Sequence, residues 1–232
     1  MKKILFYPAD LEIENFLKIP EPSKKFIPEW YSKIKHEYTK CPVISEIGKL
    51  QNTDLKMCMP FYDSLTSGYI QSTWTDIYIH NVDGEVKYSY SSSPQQMSLR
   101  KTKSVPHFNK EYYDLEFVWL TPWSPKVPKG YSLLITHPLN RFDLPFTTLS
   151  GIIDSDLFYH SKHGNHPFFI KAGFEGLIPA GTPMFQIIPI KRESWVSTKG
   201  SYDLEAKHRT WKNSTKFWGF YKNNFWQKKD YN

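Results

Sequence analysis

Between residues 131 and 190 the chain is cut into four short apolar runs, and no other feature narrows the fold as far. The runs cover residues 131–136, 146–153, 167–172 and 184–190. Prolines and glycines separate them, most densely in Gly176-Leu-Ile-Pro-Ala-Gly-Thr-Pro183. Runs of that length are strand-sized, and short strands joined by Gly/Pro turns specify a sandwich or a barrel. Upstream, Asp83-Gly84 in Thr75-Asp-Ile-Tyr-Ile-His-Asn-Val-Asp-Gly-Glu-Val-Lys-Tyr-Ser-Tyr90 is a hairpin turn pair. Val86, Tyr88 and Tyr90 alternate with Glu85, Lys87 and Ser89, so one face is expected to be buried and the other wet. Residues 4–7 and 115–120 add two more strands. Thr121-Pro-Trp-Ser-Pro-Lys-Val-Pro-Lys-Gly130 has three prolines and a glycine and is expected to be a loop.

Two segments have helical character. Pro28-Glu-Trp-Tyr-Ser-Lys-Ile-Lys-His begins with proline where a first turn tolerates it. From residue 203 to 229, Trp211, Trp218, Tyr221 and Phe225 recur at helical steps opposite a basic face. This helix is expected to pack its aromatic stripe across the barrel. The organisation expected is therefore mainly β: a single barrel or jelly roll over residues 1–202 with a short N-terminal helix, and a C-terminal aromatic-rich helix over residues 203–232 on the same domain. At 232 residues such a domain buries enough surface to fold without disulfides. Aromatics make up 17% of the chain, a supply that suits a β-rich core and a ligand pocket alike.

The formal charge is +7. That permits contact with nucleic acid, but solvated lysines are the simpler account, so nucleic acid is not favoured. Cys41 and Cys58 form no CxxC pair, which speaks against a zinc knuckle and for reduced thiols. The first residues lack a signal-peptide core, and no apolar stretch is long enough to span a bilayer. The expectation is a soluble cytoplasmic protein, with oligomerisation allowed.

Chemistry, if any, is expected in residues 132–156, where His137, Asn140, Arg141, Asp143, Asp154 and Asp156 interrupt apolar runs. Three readings compete. Gly173-Phe-Glu-Gly-Leu-Ile-Pro-Ala-Gly-Thr-Pro-Met184 resembles the second cupin motif, with Met184 where the family has a histidine ligand. Thioether is a poor iron, manganese or zinc ligand. His137 and Asp143, completed by one of His160, His163 or His166, form an alternative set for Fe(II). Arg141 would then bind a carboxylate of substrate or of a co-substrate such as 2-oxoglutarate. Secondly, the order from Pro128-Lys-Gly-Tyr131 to Lys191 resembles dUTPases and dCTP deaminases, whose Gly-Val-Ile-Asp strand is matched by Gly151-Ile-Ile-Asp-Ser-Asp156. That resemblance makes Asp154 the base that activates water, with Arg141 or Lys129 on phosphate. It also departs from the family: the Arg-Ser-Ser phosphate segment is His137-Pro-Leu-Asn-Arg141, and Leu157 stands where a tyrosine stacks on the base. Thirdly, Asn140, Asp143 and Asp154 would cap turns and Arg141 would pair with Asp143 or Asp156, with no chemistry at all.

Across most of its length the chain also resembles a family of uncharacterised proteins from tailed phages of marine bacteria and from bacteria. The likeness rests on Ile27-Pro-Glu-Trp-Tyr31, Cys58-Met-Pro-Phe-Tyr-Asp-Ser-Leu-Thr-Ser-Gly-Tyr69, Thr136-His-Pro-Leu-Asn-Arg-Phe-Asp-Leu-Pro-Phe146, Gly151-Ile-Ile-Asp-Ser-Asp156, and Gly181-Thr-Pro183 with Ile188-Pro189, in that order. It implies one integrated domain and transfers no activity. It adds Asp63 and Tyr69 to Asn140 and Arg141 as candidate substrate-binding residues. The leading expectation is a barrel that binds a small molecule or peptide, with an iron oxygenase as its enzymatic form. A nucleotide-handling enzyme and a non-enzymatic phage component, either virion protein or host inhibitor, are the alternatives.

Overall fold

The computed structural model describes residues 2–35, 55–83, 85–90, 94–100, 110–159, 164–216 and 220–232. Strands take 35% of the chain and helices 19%, so the protein is mainly β. In chain order the elements begin with β1 (Leu5–Pro8), α1 (Leu11–Phe16), β2 (Glu21–Pro22), α2 (Glu29–Ser32), α3 (Met59–Thr66) and β3 (Tyr69–Ser72). The hairpin of β4 (Ile77–Val82) and β5 (Glu85–Tyr90) follows, then β6 (Met97–Leu99), β7 (Phe117–Leu120), β8 (Trp123–Lys126) and β9 (Tyr131–Thr136). The remainder is β10 (Phe146–Thr148), β11 (Gly151–Ile153), β12 (Asn165–Ile170), β13 (Gly176–Ile178), β14 (Pro183–Lys191), α4 (Leu204–Lys216) and α5 (Phe220–Asn224).

The strands form four antiparallel sheets. The largest has the order β11-β9-β14-β3-β2 and the next β10-β12-β7-β6; β13-β4-β5 and β1-β8 complete the set. The hairpin forms where expected, with Val82 opposite Glu85 and Asp83 at φ 54°. Of the expected barrel or jelly roll the sheets show the mainly β, antiparallel character; among the described residues none closes into a barrel. The cause is visible at residues 146–153. Their apolar run predicts one strand, but the chain bends at Leu149-Ser150. Residues before the bend pair with β12 and residues after it pair with β9. A strand that switches sheets makes a corner instead of continuing one surface. The proline-rich loop is also partly strand: β8 pairs with β1, and Pro125 is tolerated there because a two-stranded sheet is all edge.

One core joins the sheets. Ile77 and Ile79 of β4, Phe117 and Trp119 of β7, Leu133 and Ile135 of β9, Phe146, Phe168, and Phe185 and Ile187 of β14 belong to a single buried cluster. Trp119 stacks on Phe168 at 3.7 Å and 4°, and its indole N–H donates to Thr148 Oγ1 at 3.0 Å. Stacking and a satisfied N–H together let a tryptophan be fully buried.

The C-terminal helix is not packed as expected. Trp211, Tyr221 and Phe225 are 60%, 47% and 55% exposed. What docks on the domain is the last stretch of chain. Trp226 Nε1 donates to both oxygens of Asp63 at 3.0 and 2.9 Å, Lys229 reaches the same carboxylate at 2.5 Å, and Tyr231 meets Tyr69 edge-on. Among the described residues, no helix is long and apolar enough to cross a membrane.

Candidate functional site

The six polar residues of 132–156 do not converge on a common point. They divide into hydrogen-bonded corners. β9 ends at Thr136, and the chain turns through residues 137–145 before β10. His137 closes that turn. Its Nδ1 accepts from Thr148 N–H at 3.3 Å, which leaves the proton on Nε2, and Nε2 donates to the Arg141 carbonyl at 3.1 Å. Burial pushes its pKa below the usual histidine value, with the Arg141 carbonyl acting against that shift. Both ring nitrogens are therefore in use.

Arg141 donates from Nε to both oxygens of Asp143, from a terminal nitrogen to the same carboxylate at 2.7 Å, and to the Phe26 carbonyl at 3.2 Å. Trp30 Nε1 also donates to Asp143 at 3.4 Å. This fork ties the turn to the N-terminal segment. Its bidentate pairing with Asp143 takes the face of the guanidinium that would otherwise meet a substrate carboxylate. Asn140 takes φ 60° and donates to Ser64 Oγ at 2.6 Å, binding the turn to α3.

Asp154 and Asp156 belong to a separate corner organised by Arg192, a residue the sequence reading did not single out. Arg192 donates to Asp154 at 3.1 Å, to both oxygens of Asp156, and to the Tyr131 carbonyl at 2.9 Å. Ser132 Oγ donates to Asp154 at 2.6 Å, and Gly130 N–H to Asp156 at 2.9 Å. Hydrogen bonds from Arg192 and Gly130 hold the Asp156 carboxyl down at about 2. Asp154 is thus a bonded corner residue rather than a base poised over a pocket.

The remaining candidates fall elsewhere. Asp63 and Tyr69 hold the C-terminal segment: Asp63 takes Trp226 and Lys229, and Tyr69 O–H donates to the Asn232 carbonyl at 3.4 Å. His160 and His163 lie outside the described residues. Among the described residues no three His, Cys, Asp or Glu side chains are grouped to hold a metal ion. With His137 bonded at both nitrogens and Asp143 clasped by Arg141, the donors proposed for Fe(II) do not fit it as arranged. Gln186 was also missed. It is buried in β14, accepts from Leu139 N–H, and donates to the carbonyls of Ser64 and Ser67, joining β14, α3 and the 137–145 turn.

His166 differs from all of these. It lies on β12, and no hydrogen-bond partner contacts its ring among the described residues. The ring rests 4.7 Å from that of Phe185, and burial alone depresses its pKa to about 4. It therefore stays neutral at pH 7, with one N–H donor and one lone pair. It faces a cavity of about 260 Å³ walled by Trp123 of β8, Ile135 of β9, Ile153 of β11, and Phe185 and Ile187 of β14, with Phe158 beside them. Ser155, Tyr159 and Thr121 supply hydroxyls to the same space. Tyr159 O–H lies 3.0 Å from Lys126 Nζ, and Thr121 Oγ1 donates to the Gly164 carbonyl at 2.8 Å. The strand alternation of β9 and β14 puts the apolar wall here: Ile135, Phe185 and Ile187 point to the inner face of the largest sheet.

Fold and site together define a mainly β domain with a small apolar pocket between its sheets and one neutral imidazole in the wall. No family model matches the chain, and no curated protein matches it significantly.

Proposed function

We propose that this protein binds a small, uncharged, largely apolar molecule in the pocket lined by His166, as a binding protein built on a barrel-like arrangement of sheets. The observation that carries the reading is His166 itself. It is half-buried with no protein partner for its ring among the described residues, so its nitrogens are left to the cavity, and binding pockets are where such groups are kept. The wall is aliphatic and aromatic, and His166 is uncharged at neutral pH, so a charged ligand would lose its hydration without gaining an ion pair. The volume of about 260 Å³ suits a ligand the size of one or two rings. A ligand hydroxyl or amide would bond the imidazole while its apolar body replaces cavity. Binding rather than turnover is favoured because His137, Arg141, Asp143 and Asp154 are each engaged in corner contacts.

Phenol and indole are suitable probes, because Trp123 in the wall reports on occupancy. Saturation-transfer NMR and tryptophan fluorescence are expected to detect millimolar or tighter binding. His166→Ala should weaken it roughly tenfold, in line with the loss of one buried hydrogen bond. Ile135→Phe, which fills the cavity, should abolish it. Equal binding by Ile135→Phe and the parent protein would place the ligand elsewhere and end this reading.

A further inference from the structure

The whole formal charge of this protein sits in one stretch of sequence. Seven of its 30 Lys and Arg lie between Ala206 and Lys229, and none of its 23 Asp and Glu does; the 23 basic residues elsewhere balance the 23 acidic ones. The same 24 residues hold seven aromatic side chains and no Leu, Ile, Val or Met. In the sequence this looks like a helix whose rings are core. The structure removes that explanation for Trp211, Tyr221 and Phe225, which face solvent, as do Lys207, Arg209 and Lys222. Two of the cations are committed at the end of the stretch, Lys229 to Asp63 and Lys228 to Asp230. The other five lie within residues 207–222; of these Lys207, Arg209 and Lys222 are exposed, Lys207 meeting only the Tyr202 ring and hydroxyl.

Cations interleaved with flat rings, without acids, complement a polyanion that carries stackable planar groups. We propose that residues 206–225 bind single-stranded nucleic acid, the lysines and Arg209 neutralising phosphates and the exposed rings stacking on bases. Stacking accepts any base and needs only a solvent-exposed ring, whereas paired bases offer their faces only at the ends. An anionic membrane is the weaker partner: surface-lying helices sink aliphatic side chains below the headgroups, and this stretch has none beyond Ala206. The docked Trp226 and Lys229 anchor the far end of the arm to the domain, so a bound strand would lie against the body and not on a loose tail.

The test uses the full-length protein and fluorescence anisotropy with labelled dT20, rU20 and a 20-base-pair duplex. Binding to a single strand should exceed binding to the duplex, and the dT20-to-rU20 ratio identifies the preferred backbone. Five phosphate contacts predict a loss of affinity on the order of 100-fold between 50 and 200 mM salt. A Lys207→Gln, Arg209→Gln, Lys222→Gln variant should lower the salt slope by about two. Tyr221→Ala with Phe225→Ala should weaken binding at least about tenfold with the slope retained. Since the substituted residues are exposed, unchanged melting verifies the fold; Phe225→Leu, apolar but not flat, should bind as poorly as Phe225→Ala. No binding at 50 mM salt, binding indifferent to these variants, tighter binding to duplex, or preference for phosphatidylserine vesicles over dT20 would each overturn the proposal. The pocket probes are unaffected by these substitutions, so the two proposals fail separately.

Discussion

At the scale of single residues, hydrogen bonding decides which histidine matters. His137 and His166 are both half-buried, but His137 is bonded at both ring nitrogens whereas His166 has no hydrogen-bond partner among the described residues, and the sequence treats them alike. The difference shows in stability against pH. Unfolded, His166 takes a proton below about 6.5; folded, it resists protonation until about 4. Below pH 6.5 the unfolded state therefore binds more protons, so stability falls as pH drops from 6.5 to 4, by about 3 kcal/mol for this residue, and levels off below that. His137 adds a loss of the same sign. Chemical denaturation at pH 7 and pH 4.5 should show the loss, and His166→Gln should remove most of it. An unchanged pH dependence in that variant would mean that the ring is not buried as described. Asp156 responds in a lower window: its carboxyl is held at about 2, so the stability of its Arg192 contact disappears only below pH 4.

At the scale of elements, the strands legible in the sequence were those with a clean two-residue alternation or an apolar run between turn residues. The β4–β5 hairpin and strands β9, β12 and β14 all lie on such segments. The corner at Leu149-Ser150 was not legible, because an apolar run does not say which sheet each half will join. Helix α3 was not legible for a related reason: eight residues ending near Gly68 look like either a helix or a turn. Its packing explains that glycine. Gly68 takes φ +70°, and a Cβ there would collide with the Ile187 carbonyl of β14. Gly68→Ala is expected to cost more than about 2 kcal/mol, since left-handed strain and a backbone shift add together. Gly130→Ala, at φ +84° with open space around it, should cost only the strain. Urea denaturation of both variants measures the difference; equal losses would show that α3 does not press on β14.

At the scale of the molecule, the chain leaves the sheets after β14, runs outside through α4 and α5, and returns to Asp63. Asp63→Asn should weaken the hold on Trp226 and Lys229 and leave the sheets intact. Limited trypsin digestion is the measurement: cleavage between Lys199 and Lys228 should speed up several-fold while the melting temperature moves by no more than a few degrees. A large fall in melting temperature would show the tail to be part of the core after all. The sequence by itself determined the local matters: the mainly β character, the hairpin turn, the strand faces and the concentration of charge after residue 205. These depend on neighbours along the chain, whose spacing sets the side-chain period and the turn chemistry. Only the tertiary structure decided that the conspicuous polar cluster is two bonded corners, that Arg192 and Gln186 are their partners, that His166 faces the pocket, and that Trp211, Tyr221 and Phe225 lie outside. Hydrogen-bond saturation and burial depend on residues distant in sequence, and a polar side chain reads the same whether its partner is a carbonyl or a ligand.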